Sequence, residues 1–235
     1  MDEPPPFRTR RRFDYDRRLL PNPYLARLEP EQLEDPRLAA RLFTGRSIGY
    51  PAWNLLYYSL ICSLPGPDPD DPAVLPNPLP DDVVVIETGT NRGASTIVMA
   101  QALKDVHLDA VVQTVDTNDD ILIFAKANAH LAGVSDRIVF NLEDSVTFLR
   151  RTVEEKTHID FIFLDDDHSR DHVIEEFSIV HPALVARGGT AYFDNTMEGG
   201  VSEALESIKA EFGGNLVRFD NCSWGPPGNA IWQPD

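Results

Sequence analysis

Short apolar runs alternate with amphipathic segments through the last two thirds of the chain. The first run, 83–87, ends at Glu87 and enters a turn that contains Gly89 and Gly93. A helix-type pattern over 94–104 follows at once. Four apolar residues bounded by glycines are typical of a buried parallel strand, because both of its faces are covered. The same alternation predicts strands at 110–116, 137–141, 159–165, 190–194, 215–220 and 229–233, and helices at 119–131, 145–155, 171–185 and 201–212.

Repeated strand–helix units predict an α/β fold. The expected architecture is a doubly wound, mostly parallel sheet of seven strands with helices on both faces. Gly225, Pro226, Pro227 and Gly228 separate the last two strands. This spacing indicates a C-terminal antiparallel hairpin.

The N-terminal third divides into three segments before the catalytic domain predicted at 83–235. Residues 1–20 contain six arginines, and we expect them to form a flexible basic arm that is either solvated or folded over an acidic surface. Helical spacing over 21–64 predicts a helical cap. Within it, Trp53, Leu56, Tyr57, Leu60 and Ile61 form a stripe that belongs to the core or to a pocket wall. Residues 65–82 contain seven prolines and five aspartates, which favours an extended connector.

The composition limits the kinds of partner that the protein could bind. The net charge of −17 argues against a nucleic-acid surface on the main domain. No apolar run approaches the roughly 20 residues that a membrane helix needs. Cys62 and Cys222 are the only cysteines, which fits a cytoplasmic protein without a disulfide. The sequence leaves the oligomeric state open, a homo-oligomer included.

Carboxylates recur where the predicted strands end. In a doubly wound sheet, ligands bind at the carboxyl ends of the parallel strands, which share one edge. A row of acidic side chains along that edge is more than solubility requires, because solvated charge could lie anywhere. The row consists of Glu87, Asp116, Asp144, Asp165 and Asp194.

The first turn does not match a dinucleotide site. That fingerprint is G-x-G-x-x-G, whereas this chain has ETGTNRG, with Glu87 where a pyrophosphate would meet it. A cofactor with a cationic centre and no phosphate, such as S-adenosylmethionine, suits the acidic edge better. Asp116 is then placed to accept hydrogen bonds from ribose hydroxyls, and Asp144 and Ser145 are placed to meet the adenine.

A second group of polar residues lies in FIFLDDDHSRDH (161–172) and GGTAYFDNT (188–196). Asp165, Asp194 and Asn195 offer three hard oxygen ligands on neighbouring strand ends, which suits a divalent ion, Mg²⁺ in particular. The alternative is that these residues cap a helix and form a turn. His168 stands three residues after Asp165, where an imidazole could act as a general base. His172 is the second candidate base.

The turn resembles the first motif of class I S-adenosylmethionine-dependent methyltransferases. This resemblance implies that Gly89, Thr90, Gly93 and Ser95 surround the methionine part of the cofactor. Glu87 and Asp165 are also predicted to bind the cofactor. FDNT is similar to the D-N-T segment of the catechol and caffeoyl-coenzyme A methyltransferases, which are metal-dependent O-methyltransferases.

The segments GYPAWNLLYY, VIETGTNRGAS and DDDHSRDHV are closer to the cephamycin-biosynthesis methyltransferase family, often labelled cephalosporin hydroxylase, and to the macrolide sugar O-methyltransferases. These resemblances imply Asp165, Asp194 and Asn195 as metal ligands and His168 as the base. The chain departs from the cephamycin pattern, which has Glu-Asp where Asp194-Asn195 stands, so that one ligand is neutral. The triple aspartate leaves Asp165 and Asp167 as alternatives for the first ligand.

The sequence therefore predicts an S-adenosylmethionine-dependent O-methyltransferase. It would use a divalent metal and a histidine base on a small hydroxylated acceptor, such as a sugar, a diol or a catechol-like natural-product intermediate of the kind found in antibiotic biosynthesis. A metal-independent methyltransferase and a non-catalytic cofactor-binding protein remain as alternatives. The spacing of the first turn disfavours a nicotinamide oxidoreductase.

Overall fold

A computed structural model describes residues 50–64, 82–106, 108–219 and 228–235, with the side chains of 50–54 excepted. The predicted arm, the larger part of the predicted cap, nearly all of the connector and the hairpin loop at 220–227 lie outside these residues. No helix in the described part of the chain has the length and apolar character to cross a bilayer.

Helices and strands alternate in the described chain, as the apolar pattern predicts. The helices are α1 (Tyr50–Ser63), α2 (Ala94–Asp105), α3 (Asp119–Leu131), α4 (Ser145–Glu155), α5 (Arg170–Arg187) and α6 (Gly199–Phe212), with a short 3₁₀ turn at Ser135–Arg137. The strands are β1 (Val85–Thr88), β2 (Val112–Asp116), β3 (Ile138–Leu142), β4 (Phe161–Leu164), β5 (Thr190–Phe193), β6 (Asn215–Arg218) and β7 (Ala230–Gln233).

The seven strands form one sheet in the order β3-β2-β1-β4-β5-β7-β6. The first five are parallel, and β7 runs antiparallel between β5 and β6. The predicted fold class is confirmed, including the antiparallel C-terminal pair. The strand order reverses between β1 and β4, and a crevice opens at the carboxyl ends of the strands at such a point.

Alternate residues of the buried strands supply two separate apolar layers, because successive side chains point to opposite faces of a sheet. In β4, Phe161 and Phe163 belong to the layer under α1 and α2. Ile162 and Leu164 belong to the layer under α4, α5 and α6. Both faces of the sheet are therefore covered, which explains why β4, at its centre, is apolar throughout.

Helix α1 lies within the first of these layers. Leu56, Tyr57, Leu60 and Ile61 are buried there, and the core interpretation of this stripe is confirmed. The Tyr57 hydroxyl donates to Asp105 at 3.0 Å and so fixes α1 to the end of α2. The side chain of Trp53 lies outside the described residues.

Candidate functional site

The turn between β1 and α2 is packed against the loop that follows β4. Gly89 has a φ of +83°, and a Cβ built on it would stand 2.1 Å from the backbone oxygen of Asp165. Only glycine fits that contact, and the left-handed backbone also favours it. Gly93 is left-handed too and begins α2. The turn predicted for the cofactor and the first predicted metal ligand are therefore in direct contact.

Glu87 lies below this turn, with no exposed surface. Its carboxylate accepts hydrogen bonds from the hydroxyls of Ser95 at 2.5 Å, Thr114 at 2.6 Å and Thr96. Burial raises the pKa of Glu87 to about 7, although the three hydroxyls act in the opposite direction. The predicted contact between this carboxylate and a cofactor needs correction, because the structure gives Glu87 the role of holding β1, β2 and α2 together.

The strand boundary explains the correction. We predict the end of β1 at Glu87, but the strand runs to Thr88. Glu87 is therefore still in the pleat and points into the sheet face that α2 covers, while Thr88 points to the α5 face and donates to Glu176 at 3.3 Å. Thr90 and Ser95 are also buried, and their hydroxyls contact Thr114 and Glu87. They support the turn from beneath.

Asp116 closes the turn from the end of β2. One of its oxygens accepts a hydrogen bond from the Asn91 amide at 3.0 Å, and the other accepts one from the Asn118 amide at 2.9 Å. Asn91 has a φ of +46°, an unusual backbone that this contact holds in place. Asp116 thus lies beside the turn, as predicted, and its remaining lone pairs are available to a ligand.

Asp144 and Ser145 occupy the start of α4. Asp144 caps the helix, because its carboxylate accepts from the Thr147 amide at 2.8 Å. Ser145 is buried, with its hydroxyl 3.3 Å from Nε2 of His172. The Asp144 carboxylate is therefore engaged within its own helix, and the Ser145 hydroxyl faces α5.

Asp165 and Asp194 follow neighbouring strands in register. Leu164 pairs with Phe193, so the two aspartates are the next residues along β4 and β5. Asp194 is 4% exposed, and one of its oxygens accepts from the Asn229 side chain at 2.6 Å. Burial and then the negative charge of Asp165 raise the pKa of Asp194 to about 8. Burial also raises the pKa of Asp165.

Asp167 does not share this position. It is exposed, and its carboxylate accepts from the Ser169 amide at 2.7 Å in the turn before α5. Of the two alternatives for a first metal ligand, the structure places Asp165 beside Asp194. Asn195, the third predicted ligand, has a φ of +55°, and its side-chain nitrogen donates to Glu198. The oxygen of its side-chain amide is the atom that Asn195 could offer to a cation.

His168 lies between two carboxylates. Its Nε2 is 3.4 Å from Asp165 and its Nδ1 is 3.1 Å from Glu198. The hydrogen bond to Asp165 raises the pKa of His168 to about 9. A general base must be neutral, so this imidazole has to lose a proton before it can accept one. His172, the second candidate base, faces Asp166 and Glu176 instead of Asp165.

Two residues of this site are not apparent from the sequence. Glu198 contacts both His168 and Asn195, and Asn229 contacts Asp194. Glu198 stands three residues after Asn195, and that short spacing is a signal that could have indicated it. Asn229 stands directly before the antiparallel strand β7, and no local pattern indicates its pairing with Asp194.

Comparison with known proteins gives one family match. A family model described as a methyltransferase domain matches residues 86–196, from β1 to the end of β5. No curated protein matches the chain.

Solved structures resemble most of the chain. A putative O-methyltransferase from Klebsiella pneumoniae is 17% identical with a TM-score of 0.61, covering 92% of each chain. An O-methyltransferase from Bacillus cereus in complex with SAH is 19% identical with a TM-score of 0.59, covering 88% of this chain and 94% of its own. The O-methyltransferase TomG from Streptomyces achromogenes, involved in tomaymycin synthesis and in complex with SAM, is 15% identical with a TM-score of 0.57, with the same coverage. At these identities the likeness establishes a shared fold.

Proposed function

We propose that this chain is an S-adenosylmethionine-dependent O-methyltransferase that acts on a small hydroxylated acceptor. The observation that carries the proposal is the direct contact between the glycine turn and the loop that bears Asp165. Because of this contact, a cofactor over the turn and an acceptor near Asp165 would lie side by side in one crevice. Support also comes from the methyltransferase family model, and from two similar solved structures in complex with SAH and SAM.

The cofactor would bind along the ends of β1, β2 and β3. Asn91 and Arg92 are the exposed residues of the turn, and Asp116 lies beside Asn91, where it would accept bonds from ribose hydroxyls. Glu87, Thr90 and Ser95 would act from below by fixing the turn, through the buried hydroxyl network. The adenine would approach the start of α4 near Asp144 and Ser145.

A divalent cation fits the residues beside the turn. Asp165 and Asp194 are largely buried at neighbouring strand ends. Their negative charges repel each other, which makes it costly for both carboxylates to be ionised at once. Asp165, Asp194 and the side-chain amide oxygen of Asn195 would hold Mg²⁺, which prefers such hard oxygen ligands. When bound, the ion would supply Lewis-acid chemistry that lowers the pKa of an acceptor hydroxyl.

His168 would accept the proton of that hydroxyl. Glu198 and Asp165 fix the orientation of the imidazole, and Glu198 also fixes the Asn195 side chain. Methyl transfer by in-line displacement needs the acceptor oxygen and the methyl carbon to be aligned, so positioning by this frame would supply much of the acceleration. A sugar, a diol or a catechol-like acceptor fits the proposal.

The test uses the full chain and labelled S-adenosylmethionine. Calorimetry measures cofactor binding, and transfer of the labelled methyl group to a panel of hydroxylated small molecules measures activity, with Mg²⁺ and with EDTA. We expect binding, and transfer that EDTA removes. Transfer that is undiminished in EDTA would indicate a metal-independent methyltransferase, whereas an absence of cofactor binding would contradict the proposal.

A further inference from the structure

A second set of ligand-type side chains lies next to this site, on the α5 face of the sheet. Asp166 comes from the loop after β4, and His172 and Glu176 are one turn apart on α5. Their ligand atoms all lie within 4.8 Å of one another. None of the three belongs to the Asp165, Asp194 and Asn195 set.

The distances around His172 are longer than those of short hydrogen bonds, and they match the spacing of ligands around a small cation. Nε2 is 3.4 Å from Asp166 and 3.5 Å from Glu176, and the Ser145 hydroxyl is 3.3 Å away. A charge-assisted hydrogen bond from an imidazolium to a carboxylate would measure about 2.7–2.9 Å. Two ligands of a tetrahedral zinc ion, with bonds of about 2.0–2.1 Å, stand about 3.3–3.4 Å apart.

Glu176 provides an independent observation. Its side chain is 1% exposed, and among the described residues its Oε1 has no hydrogen-bond partner. The other oxygen accepts from Thr88 at 3.3 Å. A buried carboxylate oxygen without a hydrogen bond is costly unless a positive charge compensates it, and either a protonated His172, 3.5 Å away, or a bound cation can supply that charge. Oε1 is the Glu176 oxygen that faces Nε2 of His172, at 3.5 Å, so it points to the place where that cation would lie.

We propose that Asp166, His172 and Glu176 bind a divalent cation, with Zn²⁺ the best match to one imidazole and two carboxylates. The ion would join the loop after β4 to α5, next to the start of α4 and the end of β1. It is separate from the magnesium site of the proposed function, and its presence does not depend on methyl transfer.

The experiment measures zinc binding by the full chain after chelator treatment. Equilibrium dialysis with metal analysis counts bound Zn²⁺ in buffer that contains millimolar Mg²⁺, and thermal unfolding is followed in parallel. We expect one equivalent of zinc, and a rise in Tm of about 5–10 °C at a hundredfold excess of zinc over Kd. His172→Gln, Glu176→Gln and Asp166→Asn should each weaken zinc binding at least tenfold. Asp166 is partly exposed, so its variant tests the proposal even if Glu176→Gln fails to fold.

Two controls separate the proposed zinc site from other carboxylates. Asp171→Asn removes an exposed acid from the same helical turn, and Asp194→Asn disrupts the magnesium candidate. Both variants should keep the zinc equivalent. The proposal fails if the wild-type chain binds no zinc, or if zinc binding survives in the three cluster variants. It also fails if Asp194→Asn alone abolishes binding, because zinc would then occupy the other site.

Discussion

Gly89→Ala tests whether the turn and the Asp165 loop form a single unit. The substitution has two costs. A left-handed backbone costs an alanine about 1–2 kcal/mol. In addition, the new Cβ would stand 2.1 Å from the Asp165 oxygen and 2.6 Å from its carbonyl carbon. These are backbone atoms, so the loop must move, and overpacking of this kind costs about 1–3 kcal/mol more.

Gly133→Ala is the matched control. Gly133 has a φ of +71°, and nothing lies within 4 Å of the Cβ that would be added. It therefore carries the backbone cost alone. At about 2–4 °C per kcal/mol for a chain of this size, the backbone cost of about 1–2 kcal/mol should lower Tm by about 2–8 °C for Gly133→Ala, and the combined cost of about 2–5 kcal/mol should lower it by about 4–20 °C for Gly89→Ala.

Differential scanning calorimetry and titration with S-adenosylmethionine are the assays. We expect Gly89→Ala to lower cofactor affinity at least tenfold, because the loop displaced by the Cβ borders the proposed binding crevice. Gly133→Ala should bind as the wild type does. Equal losses of stability in the two variants, together with unchanged affinity for Gly89→Ala, would refute the reasoning.

Further predictions concern the carboxylates and their partners. Asp194→Asn should lower methyl transfer at least a hundredfold in the labelled-methyl assay, because it removes one of two charges that would hold the cation; activity equal to wild type would exclude Asp194 as a ligand. For Glu87, the folded-state pKa of about 7 lies above the ordinary value of 4.5, so the folded state binds the proton more tightly and the protein loses up to about 3 kcal/mol of stability as pH rises from 4.5 to 7. Urea unfolding of Glu87→Gln should lack this loss, and parallel pH profiles would contradict the raised pKa. Thr114→Val should lower the free energy of unfolding by about 2 kcal/mol, since it removes two buried hydrogen bonds at nearly constant volume; a loss below about 0.5 kcal/mol would show that the network adds little. Glu198→Gln should lower kcat more than it raises KM, because Glu198 orients His168 without touching the acceptor, and a change in KM alone would contradict that role.

Local capping explains why some helix boundaries were predicted correctly. The Asn118 side chain accepts from the Ile121 amide and Asp144 accepts from the Thr147 amide, so α3 and α4 begin where the sequence places their first residues. Five of the seven strands begin later than the apolar runs predict, whereas β5 and β6 begin at the predicted residues. Apolar residues such as Val83 and Ala110 come before the first residues that pair with a neighbouring strand. An apolar run indicates that residues are buried, but it does not indicate which of them form strand hydrogen bonds.

The candidate site is predictable only in part from the sequence. A local pattern does not determine which way a side chain points, or which residues distant in the sequence come into contact. The strand ends carry Asp116, Asp165 and Asp194 along one edge, as the parallel topology requires. The orientation of Glu87 depends on where β1 ends, and the strand is one residue longer than the predicted end at Glu87. The contact of Asn229 with Asp194 depends on the insertion of β7 beside β5, which no spacing indicates.

A crystal of the full chain soaked with S-adenosylhomocysteine and Mn²⁺ tests the central claim most directly. The account predicts an anomalous manganese peak between Asp165 and Asp194, with the nucleoside beside Asp116 in the same crevice. Manganese bound away from both aspartates, or a nucleoside on another face of the sheet, would contradict it.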